Sequence, residues 1–330
     1  EKVLMKYSNL VQLFEVKGSV NSLEFSPDGK KIAFTVNRGG HQLLGIFENT
    51  QTPIHWIAPS FHRYSQPKWS PDGNKIAFIK TLGGEGAAFS LLEPRHVPWE
   101  IWIAEVSSGE GKMLWKAPET LRGSYRYPFF AFPNANELIF ESYQDGWQHL
   151  YSLDINSGAT KLLTPGDYMV EQIKLSPDNK KLVFSANTGP EKEDMDRRHI
   201  GSIDLFSKKL NWETSGTGIE AYPVTIGQGN KIAYFSATAQ RPHLVTLKKG
   251  AEIHVLQENL IPSDFPQSNL VTPKQVSFTA PDGTIVYGQL FEKAGGPAQK
   301  PGVVFVHGGP QRQMLLGWSY MDYYSNTYAL

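Results

Sequence analysis

The apolar positions of this chain fall in short runs, and the runs come in pairs split by a tight polar turn. Ser26-Pro27-Asp28-Gly29 is followed by Lys31-Ile32-Ala33-Phe34-Thr35, and Ser70-Pro71-Asp72-Gly73 by Lys75-Ile76-Ala77-Phe78-Ile79. Ser176-Pro177-Asp178-Asn179 is followed by Lys181-Leu182-Val183-Phe184-Ser185. Two degenerate copies complete the set: Phe132-Pro133-Asn134 before 137–141, and Gly227-Gln228-Gly229 before 231–235. Proline presets the second turn position, aspartate tolerates the third, and glycine accepts the left-handed conformation that closes the turn. The flanking runs are β-branched and aromatic, and too short for helices, so they read as strands.

The runs after the turns begin at Lys31, Lys75, Glu137, Lys181 and Lys231, at spacings of 44, 62, 44 and 50 residues. The longest spacing contains an 18-residue Gly/Pro-rich insert over 81–98. Third strands are predicted over 43–47, 99–106, 149–154, 199–204 and 243–247, and short fourth strands over 112–115 and 160–163. Four antiparallel strands per repeat is the pattern of a β-propeller blade. The expected fold is mainly β: a propeller with five visible blades between about residues 18 and 257, and with 1–17 available to a sixth.

Composition narrows the function classes. The 32 Lys+Arg cancel the 32 Asp+Glu. That balance argues against nucleic acid as the partner. No apolar run approaches the length of a membrane span. There are no cysteines, which removes disulfides, Cys-zinc sites and a cysteine nucleophile. The chain opens on Glu1-Lys2-Val3-Leu4 without a leader pattern, so a processed or trimmed polypeptide is expected.

Ser-Pro-Asp-Gly followed by Lys-Ile-Ala-Phe resembles the TolB-type propeller repeat. Tyr143-Gln144-Asp145-Gly146-Trp147-Gln148-His149-Leu150-Tyr151, continuing to Leu163-Thr164-Pro165-Gly166-Asp167, is similar to the propeller of dipeptidyl peptidase IV and its bacterial relatives. Those are prolyl oligopeptidase family serine peptidases. The resemblance implies a ring of seven or eight blades, a peptide substrate and no cofactor. It leaves the compartment open between bacterial periplasm and cytoplasm, with the periplasm slightly favoured, and homo-oligomerisation open as well.

The repeat stops near Glu258, which divides the chain into a propeller over 1–258 and a second part over 259–330. A linker over 261–268 leads to a hairpin, 274–279 and 285–291 around Ala280-Pro281-Asp282-Gly283. The continuous apolar run Gly302-Val303-Val304-Phe305-Val306 then predicts a strand buried on both faces, as in a parallel sheet. It runs into His307-Gly308-Gly309-Pro310. Acyl transfer builds negative charge on a carbonyl oxygen, and backbone N–H groups stabilise it where glycine lets the chain approach closely. The segment resembles the oxyanion loop after the third strand of an α/β-hydrolase domain. By that resemblance the N–H of Gly309 is the leading oxyanion donor and Gly308 the next. His307 stands where the dipeptidyl peptidase IV branch has a tyrosine.

No serine stands in G-x-S-x-G; Ser319 has Gly317 before it but Met321 after it. It reads as an ordinary serine at the start of a first hydrolase helix. The triad is therefore expected outside these residues, the 330-residue chain inactive alone, and 274–330 short of the rest of its sheet. Dipeptidyl peptidases hold the substrate amine with an Asp-Trp-x-x-Glu-Glu stretch, which is absent here, so acylaminoacyl-peptidase or oligopeptidase activity stays open. Glu85, Glu93 and Arg95 of the insert are the substrate-binding candidates, against solvated loop charge as the simpler reading. His149, His199 and His243 recur at third-strand starts and lack zinc-type spacing, so metal binding is not expected. The run Glu191-Lys192-Glu193-Asp194-Met195-Asp196-Arg197-Arg198 reads as a solvated hairpin loop. Two functions follow: part of a serine peptidase acting on short peptides, or a non-catalytic TolB-like scaffold that binds proteins. The segment 274–330 discriminates them, because a scaffold has no use for it.

Overall fold

The computed structural model describes residues 12–84, 92, 96–124, 128–227, 229–292, 295, 299, 301–306, 308 and 313–319. Its strands form five four-stranded antiparallel meanders. Blade 1 contains β1 (Ser19–Phe25), β2 (Ile32–Arg38), β3 (His41–Phe47) and β4 (His55–Ile57). Blade 2 contains β5 (Arg63–Trp69), β6 (Lys75–Thr81), β7 (Trp99–Glu105) and β8 (Gly111–Lys116). Blade 3 contains β9 (Phe130–Asn134), β10 (Glu137–Ser142), β11 (His149–Asp154) and β12 (Thr160–Leu162). These three belong to a compact unit, Glu1–Leu162.

The second unit, Leu163–Leu330, contains the other two blades. Blade 4 is β13 (Val170–Leu175), β14 (Lys181–Ala186), β15 (His199–Asp204) and β16 (Lys209–Trp212). Blade 5 is β17 (Ile219–Ile226), β18 (Lys231–Ala237), β19 (Leu244–Lys249) and β20 (Glu252–Val255). The same unit holds a separate hairpin, β21 (Lys274–Thr279) and β22 (Ile285–Leu290), at the positions the sequence predicts.

The repeated turn owes its shape to its own side chains. Ser26 Oγ donates to Asp28 Oδ1 at 2.7 Å and accepts from the Lys31 amide at 2.9 Å. Ser70 with Asp72 and Lys75, and Ser176 with Asp178 and Lys181, repeat both bonds. The serine hydroxyl is the main reason the three aspartates stay below the ordinary carboxylate range. A second repeat is invisible in the sequence. The first strands of blades 1, 2, 4 and 5 each carry a bulge with a non-glycine residue at positive φ: Ser22, Gln66, Gln172 and Tyr222. A bulge redirects a strand and re-aims its side chains. Gln66 Nε2 reaches the Pro128 carbonyl of the next blade, and Gln172 Oε1 accepts the Tyr222 amide of its neighbour.

Two expectations fail in the second unit. Residues 302–306 form no strand: Val303 and Val304 are each 92% exposed and Val306 85%. An apolar run becomes a buried strand only when neighbouring strands pair with it, and none of the described residues does. The charge run 191–198 is only in part a solvated loop: Glu191, Lys192, Glu193 and Met195 are exposed. Lys192–Asp196 forms a 3-10 turn, and Asp194 and Arg198 are each 1% exposed.

Candidate functional site

Of the residues singled out in the sequence after the apolar run, Gly308 and Ser319 lie among those described. Gly308 is exposed, and an added Cβ there would meet no atom within 4 Å. His307 and Gly309 lie outside the described residues, as do Glu85, Glu93 and Arg95. Ser319 is buried at 5% exposure, and the described part of its segment is not helical.

The best-defined polar site is one that sequence reading missed. It lies in the second unit, where blades 4 and 5 meet. Arg198 donates through Nε to Glu171 at 2.5 Å and through Nη1 to the Arg197 carbonyl at 2.8 Å. Next to it, His199 Nδ1 lies 2.7 Å from Glu220 Oε2, and its Nε2 lies 3.5 Å from Asp194 Oδ1. Arg197 donates to Asp194 at 2.6 Å, and the Glu191 amide reaches the same carboxylate at 2.9 Å. Thr214 Oγ1 donates to Glu220 at 3.0 Å. The backbone joins the blades here too, through the Glu220 amide and the Arg198 carbonyl at 2.8 Å.

Two glycines make room for the carboxylates. A Cβ on Gly189 would stand 2.1 Å from Asp194 Oδ2, and a Cβ on Gly218 would stand 2.1 Å from Glu220 Oε1. Burial alone would push the His199 pKa down, and it is the largest single influence. The hydrogen bonds and charges of Glu220 and Asp194 together outweigh it, so the net shift is upward. Asp194 shows the mirror image. Its burial works to raise its pKa, but the Glu191 amide, Arg197 and His199 hold it low.

Onto this cluster docks the segment that follows the His-Gly-Gly-Pro stretch. Gln313 Oε1 accepts from Arg198 Nη2 at 2.9 Å. Its Nε2 donates to the Met195 carbonyl at 2.7 Å and to Asp196 Oδ1 at 2.8 Å. The Leu316 amide donates to the Asp196 carbonyl at 2.9 Å, and the Trp318 amide to the Thr238 carbonyl at 3.2 Å. Leu315, 1% exposed, packs with Ile219 and Ala237, and Trp318 lies against the same group. The hairpin contributes as well: Gln275 Nε2 donates to Asp196 Oδ2 at 2.7 Å, and Gln289 Nε2 to the Met314 carbonyl at 2.9 Å.

In blade 3, the motif 143–151 makes a partly exposed corner that leads into the buried His149. His149 Nδ1 is 2.7 Å from Asp145 Oδ2, and the Trp147 amide donates to the same residue at 3.2 Å. These partners give His149 a structural part. Among the described residues, no group of three or more His, Asp or Glu is placed to hold a metal ion, and no helix is long and apolar enough to cross a membrane.

The class this architecture defines is a β-propeller of four-stranded blades. Comparison with known proteins takes the assignment further. Residues 124–244 match the model of the dipeptidyl peptidase IV (DPP IV) N-terminal region. Dipeptidyl-peptidase 5 of Aspergillus fumigatus is 26% identical over 221 residues, covering 61% of this chain and 29% of the relative. A crystal structure of puromycin hydrolase superposes with a TM-score of 0.65 at 16% identity, covering 97% of this chain and 51% of that one. Dipeptidyl peptidase 4 of Porphyromonas gingivalis gives a TM-score of 0.54 at 14% identity, covering 93% and 56%. The two structural likenesses speak to the fold alone. The family match adds a likeness to the N-terminal region of dipeptidyl peptidase IV over 124–244. The chain spans about half the length of these solved structures.

Proposed function

We propose that this chain is the propeller and oxyanion-loop portion of a serine peptidase that hydrolyses short peptides through an acyl-enzyme. The observation that carries the reading is the DPP IV N-terminal match over 124–244, followed in the same chain by an apolar run ending in His-Gly-Gly-Pro. In this reading residues 1–258 are the propeller, which limits substrate size. Residues 259–330 open the catalytic domain.

The chemistry asked of this chain is electrostatic. The Gly309 amide, with Gly308 and His307 beside it, faces the carbonyl oxygen as it gains charge. Backbone donors aimed at that oxygen are worth about 10²–10³ in kcat each. The nucleophile, its base and the orienting acid come from further polypeptide. The free amine of a peptide would be held by a carboxylate of the insert, Glu85 or Glu93, with Arg95 beside them. If those carboxylates stay in solvent instead, acylaminoacyl-peptidase or oligopeptidase activity takes the place of dipeptide release.

A fluorophosphonate probe separates this reading from a protein-binding scaffold. The longer gene product should be labelled stoichiometrically and should cleave chromogenic short peptides, while the 330-residue chain stays unlabelled. A longer product that neither labels nor cleaves would leave the scaffold reading.

A further inference from the structure

We infer that docking of the segment 313–319 onto blades 4 and 5 is proton-linked, with His199 as the group that carries the proton. The inference concerns the folded chain alone and does not depend on the peptidase reading. His199 is 0% exposed and has a carboxylate at each ring nitrogen. Glu220 Oε2 lies 2.7 Å from Nδ1. Asp194 Oδ1 lies 3.5 Å from Nε2, an ion-pair distance rather than a hydrogen bond. Only the imidazolium presents an N–H on both sides, and either neutral tautomer turns a lone pair toward one of the two carboxylates. The same two partners raise the His199 pKa above 6.5, against the opposing effect of burial.

The two carboxylates belong to the two elements that hold the segment. Asp194 shapes the 3-10 turn Lys192–Asp196 by accepting from the Glu191 amide and from Arg197. The last two residues of that turn supply the Met195 carbonyl and Asp196 Oδ1 to Gln313, and the Asp196 carbonyl to the Leu316 amide. Glu220 follows Ile219, whose side chain packs with Leu315. The imidazolium thus ties the turn of blade 4 to the first strand of blade 5, and the segment lies across both. Without the proton, two carboxylates face a neutral ring in a site that excludes water, where their repulsion is strong. Moving the turn away from blade 5 relieves it and draws the acceptors off Gln313 and Leu316. The other charges around the ring have partners of their own: Arg197 on Asp194, and Arg198 on Glu171 and Gln313. Arg241 Nη2 donates to Ser236, the residue paired with Glu220 across β17 and β18. Glu213 accepts from Ser202 and pairs with Lys248. Tyr234, its pKa pushed up to about 12 mainly by burial, stays neutral. Of these side-chain types, histidine is the one that titrates near neutral pH.

Amide exchange and an imidazole titration test the linkage in the 330-residue chain. Protection of the Leu316 and Trp318 amides, corrected for the intrinsic pH dependence of exchange, should fall at least about tenfold between about pH 6 and pH 9. Amides inside β14 and β15 should keep their protection over the same range. His199→Gln has no ionisable ring, so protection at Leu316 and Trp318 should be low and flat with pH. Linkage is reciprocal. Leu315→Ser weakens docking from its apolar side and should therefore lower the His199 pKa, read from the imidazole NMR signal, by about one unit for a tenfold coupling. If His199→Gln does not fold, the wild-type pH series and Leu315→Ser decide between them. Wild-type protection that is flat with pH overturns the linkage, as does protection lost equally in the blade strands. A His199 signal that titrates identically in wild type and Leu315→Ser, or does not titrate over this range, overturns it too.

Discussion

Two blade junctions in this protein both bury apolar side chains but differ in what stands beside them. Between blades 2 and 3, Trp99, Trp115, Phe140 and Tyr151 form a chain of rings, with centroids 4.8 Å apart for Trp99–Trp115, 4.7 Å for Trp115–Phe140 and 5.7 Å for Phe140–Tyr151. The Trp99 indole N–H, the polar tip of an otherwise apolar junction, donates to the Gly123 carbonyl at 3.0 Å. Between blades 4 and 5, Arg198, His199, Glu171, Glu220 and Asp194 form an ionic cluster, and Val183, Ile200, Ile232 and Tyr234 an apolar one. The aromatic junction gains from every square ångström it buries and tolerates small shifts. The ionic junction gains only where each partner is in place, since a buried charge without its partner is costly. The difference teaches where specificity is kept: the aromatic junction serves its blades alone, and the ionic one also receives the segment 313–319.

The largest effect should come from breaking the aromatic junction. Phe140→Ala removes a ring that is 0% exposed and should cost about 3–5 kcal/mol of stability, read as a fall in melting temperature. An equal loss is not expected from removing the whole ion pair in the other junction. Arg198→Met alone strands Glu171 and should destabilise by about 3 kcal/mol or more, whereas Arg198→Met with Glu171→Leu should return close to wild type. Amide exchange at Trp318 should stay fast in that double variant, because Gln313 has still lost its donor. A double variant as unstable as the single one would mean that the charges hold the blades rather than the segment 313–319.

The smallest effect is one of pH. The folded-state pKa of His199 lies above its ordinary value of 6.5. Its contribution to stability is therefore fully present below about pH 6.5 and disappears as pH rises through the folded value. The groups facing it are Glu220 from blade 5, with Asp194 and Arg197 from the turn before β15. Asp194 works in the other direction, stabilising above its unfolded value of 3.8 and losing its contribution as pH falls through the depressed one. The margin by which wild type out-melts His199→Asn should shrink between about pH 5 and pH 8. A constant margin across that range would show that the folded and unfolded states bind the His199 proton equally, with no upward shift.

Much of the fold could be read in advance, and the reason is local. The Ser-Pro-Asp-Gly turn closes through side chains two and five residues apart, so its signature is contiguous. The strands beside it inherit their register from the turn, and β11 and β15 fall where the pattern puts them. His149 was legible as a structural strand-start residue, although its partner Asp145 was not singled out. The candidate site was much less legible. Its residues were visible only as the charged string 191–198, which looks the same in sequence whether its partners are solvent or protein. A signal did exist in hindsight: a Gly sits near each buried carboxylate, Gly189 before Asp194 and Gly218 before Glu220.

The sequence by itself determined the blade repeat, the turn chemistry and the hairpin over 274–290, because each of these pairs residues that are neighbours along the chain. Tertiary structure decided the rest. Arg198 meets Glu171 from 27 residues away and Gln313 from 115, and His199 meets Glu220 from 21. Those separations bury Arg198 and His199 at the end of a run that is otherwise mostly exposed, since a charge is stable in the interior only when distant parts of the chain bring its partners. The run 302–306 shows the same rule from the other side. Its apolar character asks for a strand, but a strand exists only where another strand pairs with it, and among the described residues 302–306 is in none.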